Sequence, residues 1–252
     1  MPAEIGLTSE DAVLGGRLTL RQPQRGHRFG HDAILLAAAV PARLGEHAID
    51  LGSGVGAAGL ALARRVAGVA VTLVEIDPAL AALAAENAKR NGFADRVHAL
   101  CLDVGAGHAA FAAAGLEQGA ADHILMNPPF NPPHNPSPER DRRRAHRAET
   151  GTLPRWLSTA ARLLHPGGTV TLIWRADGLG EVLASLTASF GAIAILPIYP
   201  KPDAPAIRIL VRAVAGSHGP LSLEPGLVLA DSDGKPAAAA EAVLRDAAAL
   251  SI

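Results

Sequence analysis

The string Met126-Asn127-Pro128-Pro129-Phe130 is the part of this chain best suited to chemistry. Two consecutive prolines fix the backbone and leave carbonyls with no local N–H to pair with. Asn127 offers an amide oxygen and Pro128 a free carbonyl. Together they can accept both hydrogens of a planar NH2 group and draw its nitrogen toward sp3 character. Phe130 adds a flat face on which a base or an amide can stack. The competing reading is a rigid turn, since Asn-Pro-Pro also occurs in turns.

A second constellation lies upstream. Asp50-Leu51-Gly52-Ser53-Gly54-Val55-Gly56 follows an apolar run and opens a helical one. Glycines there permit a tight turn and close approach of a ligand to the backbone, and a helix N-terminus adds oriented N–H groups. Val71-Thr72-Leu73-Val74 then ends in Glu75, followed by Ile76. A carboxylate at the tip of the second strand is where a Rossmann-like site hydrogen-bonds ribose hydroxyls. Leu102-Asp103-Val104 supplies a second acidic group where an adenine amino group would lie. Asp103 would serve equally as an ordinary helix cap. The glycine spacing is G-x-G-x-G after Asp50, not the G-x-G-x-x-G of a dinucleotide site. That spacing favours S-adenosylmethionine (SAM) over NAD.

These residues need a scaffold that brings strand ends together. From His47 the chain alternates strand and helix. Strands are predicted at His47–Leu51, Val69–Glu75, Val97–Leu102, His123–Met126, Gly167–Trp174, Ala192–Ile198 and Ile207–Val214. Helices are predicted at Asp32–Leu44 with Asp32 as N-cap, Ala57–Val66, Pro78–Asn91, within Gly105–Glu117, Thr152–Leu164 and Leu179–Phe190. Such alternation implies a parallel sheet covered on both faces. The link Pro200–Pro205 is too short for a crossover helix, so the last strand should run antiparallel. The expected fold is therefore α/β and Rossmann-like, a seven-stranded mixed sheet with helices on both faces. Residues 1–45, with a hairpin over Val13–Leu20, should cover the ligand site. Residues 46–215 should form the main domain, and residues 216–252 an extension with an Asp231–Gly234 turn and a short helix.

Composition narrows the function classes. The chain has 252 residues and a formal net charge of −1, so global charge does not advertise a polyanion partner. Its single cysteine, Cys101, excludes an internal disulfide and reads as a small core residue. Ten histidines show no metal-ligand spacing, and no metal is expected. The apolar run Ala33–Val40 is too short to span a bilayer, and a soluble cytoplasmic protein is expected. Trp156 and Trp174 read as packing residues.

Together the D-x-G-x-G-x-G loop, Glu75, Asp103 and the Asn-Pro-Pro-Phe string resemble class I SAM-dependent N-methyltransferases of the NPPY/NPPF group. Within that group, residues 25–40 resemble the segment preceding the SAM domain in bacterial tRNA1(Val) adenine-N6 methyltransferases. A Phe-Gly-Thr-Asp-like string there opens a helix over the cofactor, and Phe29, Gly30 and Asp32 match it. His31 departs from the usual Thr. Residues 207–213 look like the family's penultimate strand. The resemblance spans about residues 10–215. It implies catalysis by Asn127, Pro128, Pro129 and Phe130. It implies a cofactor site of Phe29, Asp32, Asp50, Gly52, Ser53, Gly54, Gly56, Glu75, Ile76, Asp103, Val104 and Asn127. The implied reaction is methyl transfer to the N6 amino group of adenine in tRNA.

Arg140, Arg142, Arg143, Arg144 and Arg147, with His146, follow the Asn-Pro-Pro-Phe string and could hold RNA phosphates. A solvated charge run is the alternative. Arg17, Arg21, Arg25 and Arg28 could extend the same basic face. A glutamine-N5 methyltransferase acting on a release factor would share the tetrad, because a glutamine amide resembles the edge of adenine. Only some 45 residues precede the first clear strand, which counts against the long N-terminal domain usual in those enzymes. A remoter alternative is a non-catalytic SAM- or NAD-binding module, which would not require Asn127–Phe130.

Overall fold

Strands buried on both faces read as near-continuous apolar runs, because helices cover the sheet above and below. Ile49, Leu51, Leu73, Val74, Ile124, Leu125 and Met126 are all buried in this way. The computed structural model describes residues 7–24, 28–129 and 151–252. The central strands are β3 (His47–Leu51), β4 (Ala70–Glu75), β5 (Val97–Cys101), β6 (Ala121–Met126), β7 (Leu164–Arg175), β8 (Phe190–Tyr199) and β9 (Arg208–Ala215). Their order across the sheet is β8-β9-β7-β6-β3-β4-β5. Only β9 runs against its neighbours, β7 and β8, as the short Pro200–Pro205 link requires. The chain leaves β3 toward β5 on one side and restarts at β6 on the other. Between β3 and β6 the direction of winding therefore switches, which opens a crevice at their C-terminal ends.

One face carries α1 (His31–Ala39), α2 (Ala57–Arg65), α3 (Pro78–Arg90) and α7 (Ala238–Asp246). The other carries α4 (His108–Ala113), α5 (Thr152–Leu163) and α6 (Leu179–Leu186). Leu60, Leu62 and Leu73 anchor the first core, and Phe111, Leu157 and Leu172 the second. No helix among the described residues is long and apolar enough to cross a membrane.

Several elements differ from the sequence expectation. The N-terminal hairpin is longer, pairing β1 (Thr8–Val13) with β2 (Leu18–Pro23) through a turn with positive φ at Leu14, Gly15 and Gly16. Helix α1 stops at Ala39 instead of Leu44. Pro41 forces Val40 out of the helical region, to φ −73 and ψ 124. The N-cap of α1 is Gly30, not Asp32, which instead accepts from Arg208 Nε at 2.8 Å. Two short strands, β10 (Ser222–Leu223) and β11 (Leu227–Val228), pair in parallel with β8. Pairs of two residues leave no periodicity to read. Cys101 is exposed, not a core residue, because β5 is the edge strand. Trp174 is buried as expected.

A polar network closes the sheet at the end opposite the crevice. His123 shares hydrogen bonds with Thr169 Oγ1 and Glu46 Oε2, both at 2.8 Å, and His165 Nε2 meets Asp122 Oδ1 at 2.9 Å. Burial pulls the Asp122 carboxyl up, but the His47 N–H and His165 outweigh it and hold it below its ordinary value. Glu46 is likewise lowered, by His123 and the Arg43 N–H against its burial. His165 is raised by the Pro166 carbonyl and by Asp122. The two carboxylates thus stabilise the fold above about pH 4, and this contribution fades as pH falls through their lowered values. The His165 contribution is complete below about pH 6.5 and fades as pH rises through its raised value. His165→Gln should therefore lower the melting temperature more at pH 5.5 than at pH 9. The difference should be small, within about 1 kcal/mol, since both partners are over a third exposed. Equal losses at the two pH values would refute the ion pair.

Candidate active site

The glycine loop leaves β3 and turns back over β4. Gly52 N–H and Ser53 N–H both donate to Val74 O, at 2.8 and 3.0 Å. Gly52, Gly54 and Gly56 take φ of +73, +57 and +87, a region that strains other residues. A Cβ on Gly54 would meet nothing within 4 Å, so the loop faces open space there. The Ser53 hydroxyl is buried with no hydrogen-bond partner among the described residues. An orphaned hydroxyl beside open space fits a loop shaped to receive a polar ligand.

Two carboxylates shape this loop from different sides. Glu75 accepts from Gly54 N–H through one oxygen and from Asp77 N–H through the other, both at 2.9 Å. It stands at the crevice end of β4, and each oxygen keeps lone-pair capacity for a further donor. Asp50 is 2% exposed and accepts from Gly59 N–H at 2.9 Å, inside α2. The structure thus places Asp50 beneath the loop, where it fixes α2, rather than on the open side. Burial, with the Glu75 charge adding, pushes its carboxyl up to about 7 against the Gly59 bond.

Beyond the strand ends lie the other members of the constellation. Ile76 is 43% exposed, unusual for an isoleucine beside a crevice. Asp103 is exposed and accepts from Gly105 N–H at 2.8 Å. Val104 is buried, and its carbonyl accepts from Thr159 Oγ1 at 2.9 Å. Leu51 pairs with Met126 across β3 and β6, so the glycine loop and Asn127 leave the C-terminal ends of adjacent strands. Asn127 is half-buried, Pro128 buried and Pro129 exposed. Phe29 is half-buried, with its N–H on Gln22 Oε1 at 3.2 Å, and Gln22 Nε2 continues to Asp11. Phe130, Arg140, Arg142, Arg143, Arg144, His146 and Arg147 lie outside the described residues, as does Arg25. Among the described residues, no cluster of His, Cys, Asp or Glu could hold a metal ion.

Four residues position the site through contacts that the sequence does not show. Trp156 and Arg155, in the first turn of α5, pack on Gly52 and Gly105. Asn87 is fully buried in α3. Its Nδ2 donates to Arg21 O and Val55 O at 2.9 and 3.0 Å, and its Oδ1 accepts from Arg21 N–H at 2.8 Å. One turn later, Asn91 grips Thr19 N–H and O in the same way. The two amides therefore pair with the free edge of β2 and tie the hairpin to the glycine loop. Their i, i+4 spacing was the available signal, although asparagine inside a helix usually faces solvent. Asn87→Ala would strand three backbone groups, and should cost about 2–3 kcal/mol in urea unfolding. A loss below about 0.5 kcal/mol would show that water replaces the amide.

Known proteins resemble this chain over the same region. A family model for the methyltransferase small domain matches residues 28–197. A Porphyromonas gingivalis protein named tRNA1(Val) (adenine(37)-N6)-methyltransferase is 32% identical over 174 residues, covering 66% of each chain. A Dickeya chrysanthemi protein of the same name is 28% identical over 228 residues, covering 87% of each. The chain thus spans just under two thirds of the Porphyromonas protein's length. Among solved structures, a predicted O-methyltransferase from Agrobacterium tumefaciens superposes with a TM-score of 0.76 at 29% identity. That match covers 88% of this chain and 99% of the other.

Proposed function

The chain belongs to the methyltransferase small domain family, and from that premise we propose that it methylates the N6 amino group of adenine in tRNA. The single observation that supports this reading is the Leu51–Met126 register, by which the glycine loop and Asn127-Pro128 leave adjacent strands at the β3–β6 switch point. The cofactor is SAM, whose sulfonium supplies an electrophilic methyl group. Glu75 would hold its ribose, the Ser53 hydroxyl its polar tail, and Ile76, Asp103 and Val104 its adenine. Asn127 Oδ1 and the Pro128 carbonyl would accept the two hydrogens of the target amino group. The lone pair of that nitrogen then points at the loop, and its proton leaves to solvent after transfer. No strong base is required, since the attacking nitrogen is neutral. Phe130, next in the chain, supplies a stacking face for the base. The arginines at 140–147 would meet tRNA phosphates, in the cytoplasm where that substrate resides.

The test is transfer of labelled methyl groups to total tRNA, rRNA and a release-factor panel, followed by nucleoside and amino-acid analysis. N6-methyladenosine in tRNA is expected. N5-methylglutamine would keep the amide-acceptor chemistry and replace the substrate. A methylated oxygen, in line with the description of the Agrobacterium protein, would overturn the role of Asn127.

A further inference from the structure

Two segments flank the region that the family model matches, residues 28–197. The β1–β2 hairpin precedes it and α7 follows it, yet the two pack together. Leu14 and Val243 are buried in one core. Arg17 Nη1 donates to Arg245 O at 3.0 Å, and Arg17 Nη2 meets Asp246 Oδ1 at 3.3 Å. The last carbonyls of a helix lack intrahelical partners, and the dipole there favours a cation. Arg17 is thereby committed to the C-terminal end of α7. Gly15 lies against the same carbonyl, since a Cβ there would stand 3.0 Å from Arg245 O.

From the hairpin the contacts run on to the glycine loop. Asn87 and Asn91 of α3 hold the free edge of β2, and Arg21 adds an ion pair to Glu86 at 2.6 Å. Asn87 gives one amide hydrogen to Arg21 O and the other to Val55 O, at 3.0 Å, between Gly54 and Gly56. Those two glycines take positive φ, so the loop must be held in a conformation with little intrinsic preference of its own. A side chain that grips its middle carbonyl reduces what a ligand has to order. We propose, resting on the SAM reading above, that the hairpin and α7 form a clasp on the cofactor loop. Asn87 is its positioning residue at the loop, and Arg17 its positioning residue at the far end. Cofactor affinity then depends on α7 through the hairpin, a coupling between segments outside the matched family region and a site inside it.

The experiment combines calorimetric titration of the full chain with SAM and hydrogen exchange of the unliganded glycine-loop amides. It compares wild type, Arg17→Ala, Asn87→Ala and the double variant. Arg17→Ala should weaken SAM by about 2- to 4-fold and Asn87→Ala by about 5- to 20-fold. Exchange at Gly54 and Gly56 should speed up in both. With Asn87 gone, Arg17→Ala should weaken SAM by less than about 1.5-fold more, because its route to the loop is cut. A hairpin that is merely structural would lose melting temperature in Arg17→Ala and keep wild-type loop exchange and SAM affinity. That result would overturn the inference, as would additive losses in the double variant. If Asn87→Ala fails to fold, Arg17→Ala, whose side chain is 44% exposed, decides alone. If the wild type binds no SAM, the cofactor reading falls, and loop exchange in Arg17→Ala still decides the clasp.

Discussion

Asn127→Ala should slow methyl transfer about 30- to 1000-fold, equivalent to about 2–4 kcal/mol in the transition state. The amide oxygen is one of two acceptors for the hydrogens of the target amino group. Without it the nitrogen keeps its planar, conjugated character, and its lone pair stays in the ring system. The loss belongs to the transition state, where the nitrogen acquires positive charge and the hydrogen bonds that its N–H groups donate strengthen. Cofactor affinity should change little, because Gly52, Ser53 and Glu75 are held by β4 and not by Asn127. Asn127→Asp is the informative companion. It preserves an acceptor oxygen and adds a charge that attracts a cationic donor, so binding should hold and transfer should recover much of what alanine loses. Single-turnover transfer at saturating SAM separates the two quantities. Transfer at the parent rate in Asn127→Ala would reduce the string to a structural turn.

The legibility of this site follows from where each signal resides. Strands β3, β4 and β6 could be read because their burial on both faces leaves unbroken apolar runs. The glycine loop could be read because three positive φ values demand glycine at fixed spacing. Asp50 was legible as a member of the loop but not in its orientation. Its partner, Gly59, lies nine residues away on the first turns of α2, and only the fold shows that the carboxylate faces inward. Asn87 and Trp156 were less legible still. Their partners, Val55, Arg21 and Gly52, stand far away in the chain, so beyond the Asn87–Asn91 spacing no local pattern marks them. Asp32 misled for a related reason. An acidic residue before an apolar run reads as a cap, yet its partner Arg208 comes from the far end of the sheet. Local chemistry is written in spacing, whereas residues that act across elements need the topology.

Glu75→Ala should weaken SAM binding by about 3–4 kcal/mol, roughly 150- to 1000-fold in Kd. Two losses combine. The carboxylate no longer meets the ribose hydroxyls, and charge-assisted hydrogen bonds of this kind are worth about 1.5–3 kcal/mol each. The loop also loses its brace, since Gly54 N–H and Asp77 N–H both lean on this one side chain. Gly54 would then have to be ordered by the ligand itself, which subtracts from affinity. Glu75→Gln distinguishes the two losses. Its amide keeps one acceptor oxygen for one of the two N–H groups, but turns an N–H donor toward the other. Affinity should therefore fall between wild type and alanine, with slower recovery of loop order. The sheet should survive both changes, because Glu75 ends β4 and its flanking residues Val74 and Leu73 stay packed in the cores. Titration calorimetry with SAM gives the affinities, and unliganded melting checks the fold. If Glu75→Ala binds SAM within about threefold of wild type, less than about 1 kcal/mol, the ribose contact belongs to another residue. If NAD stabilises the wild type and SAM does not, the glycine spacing has been misread.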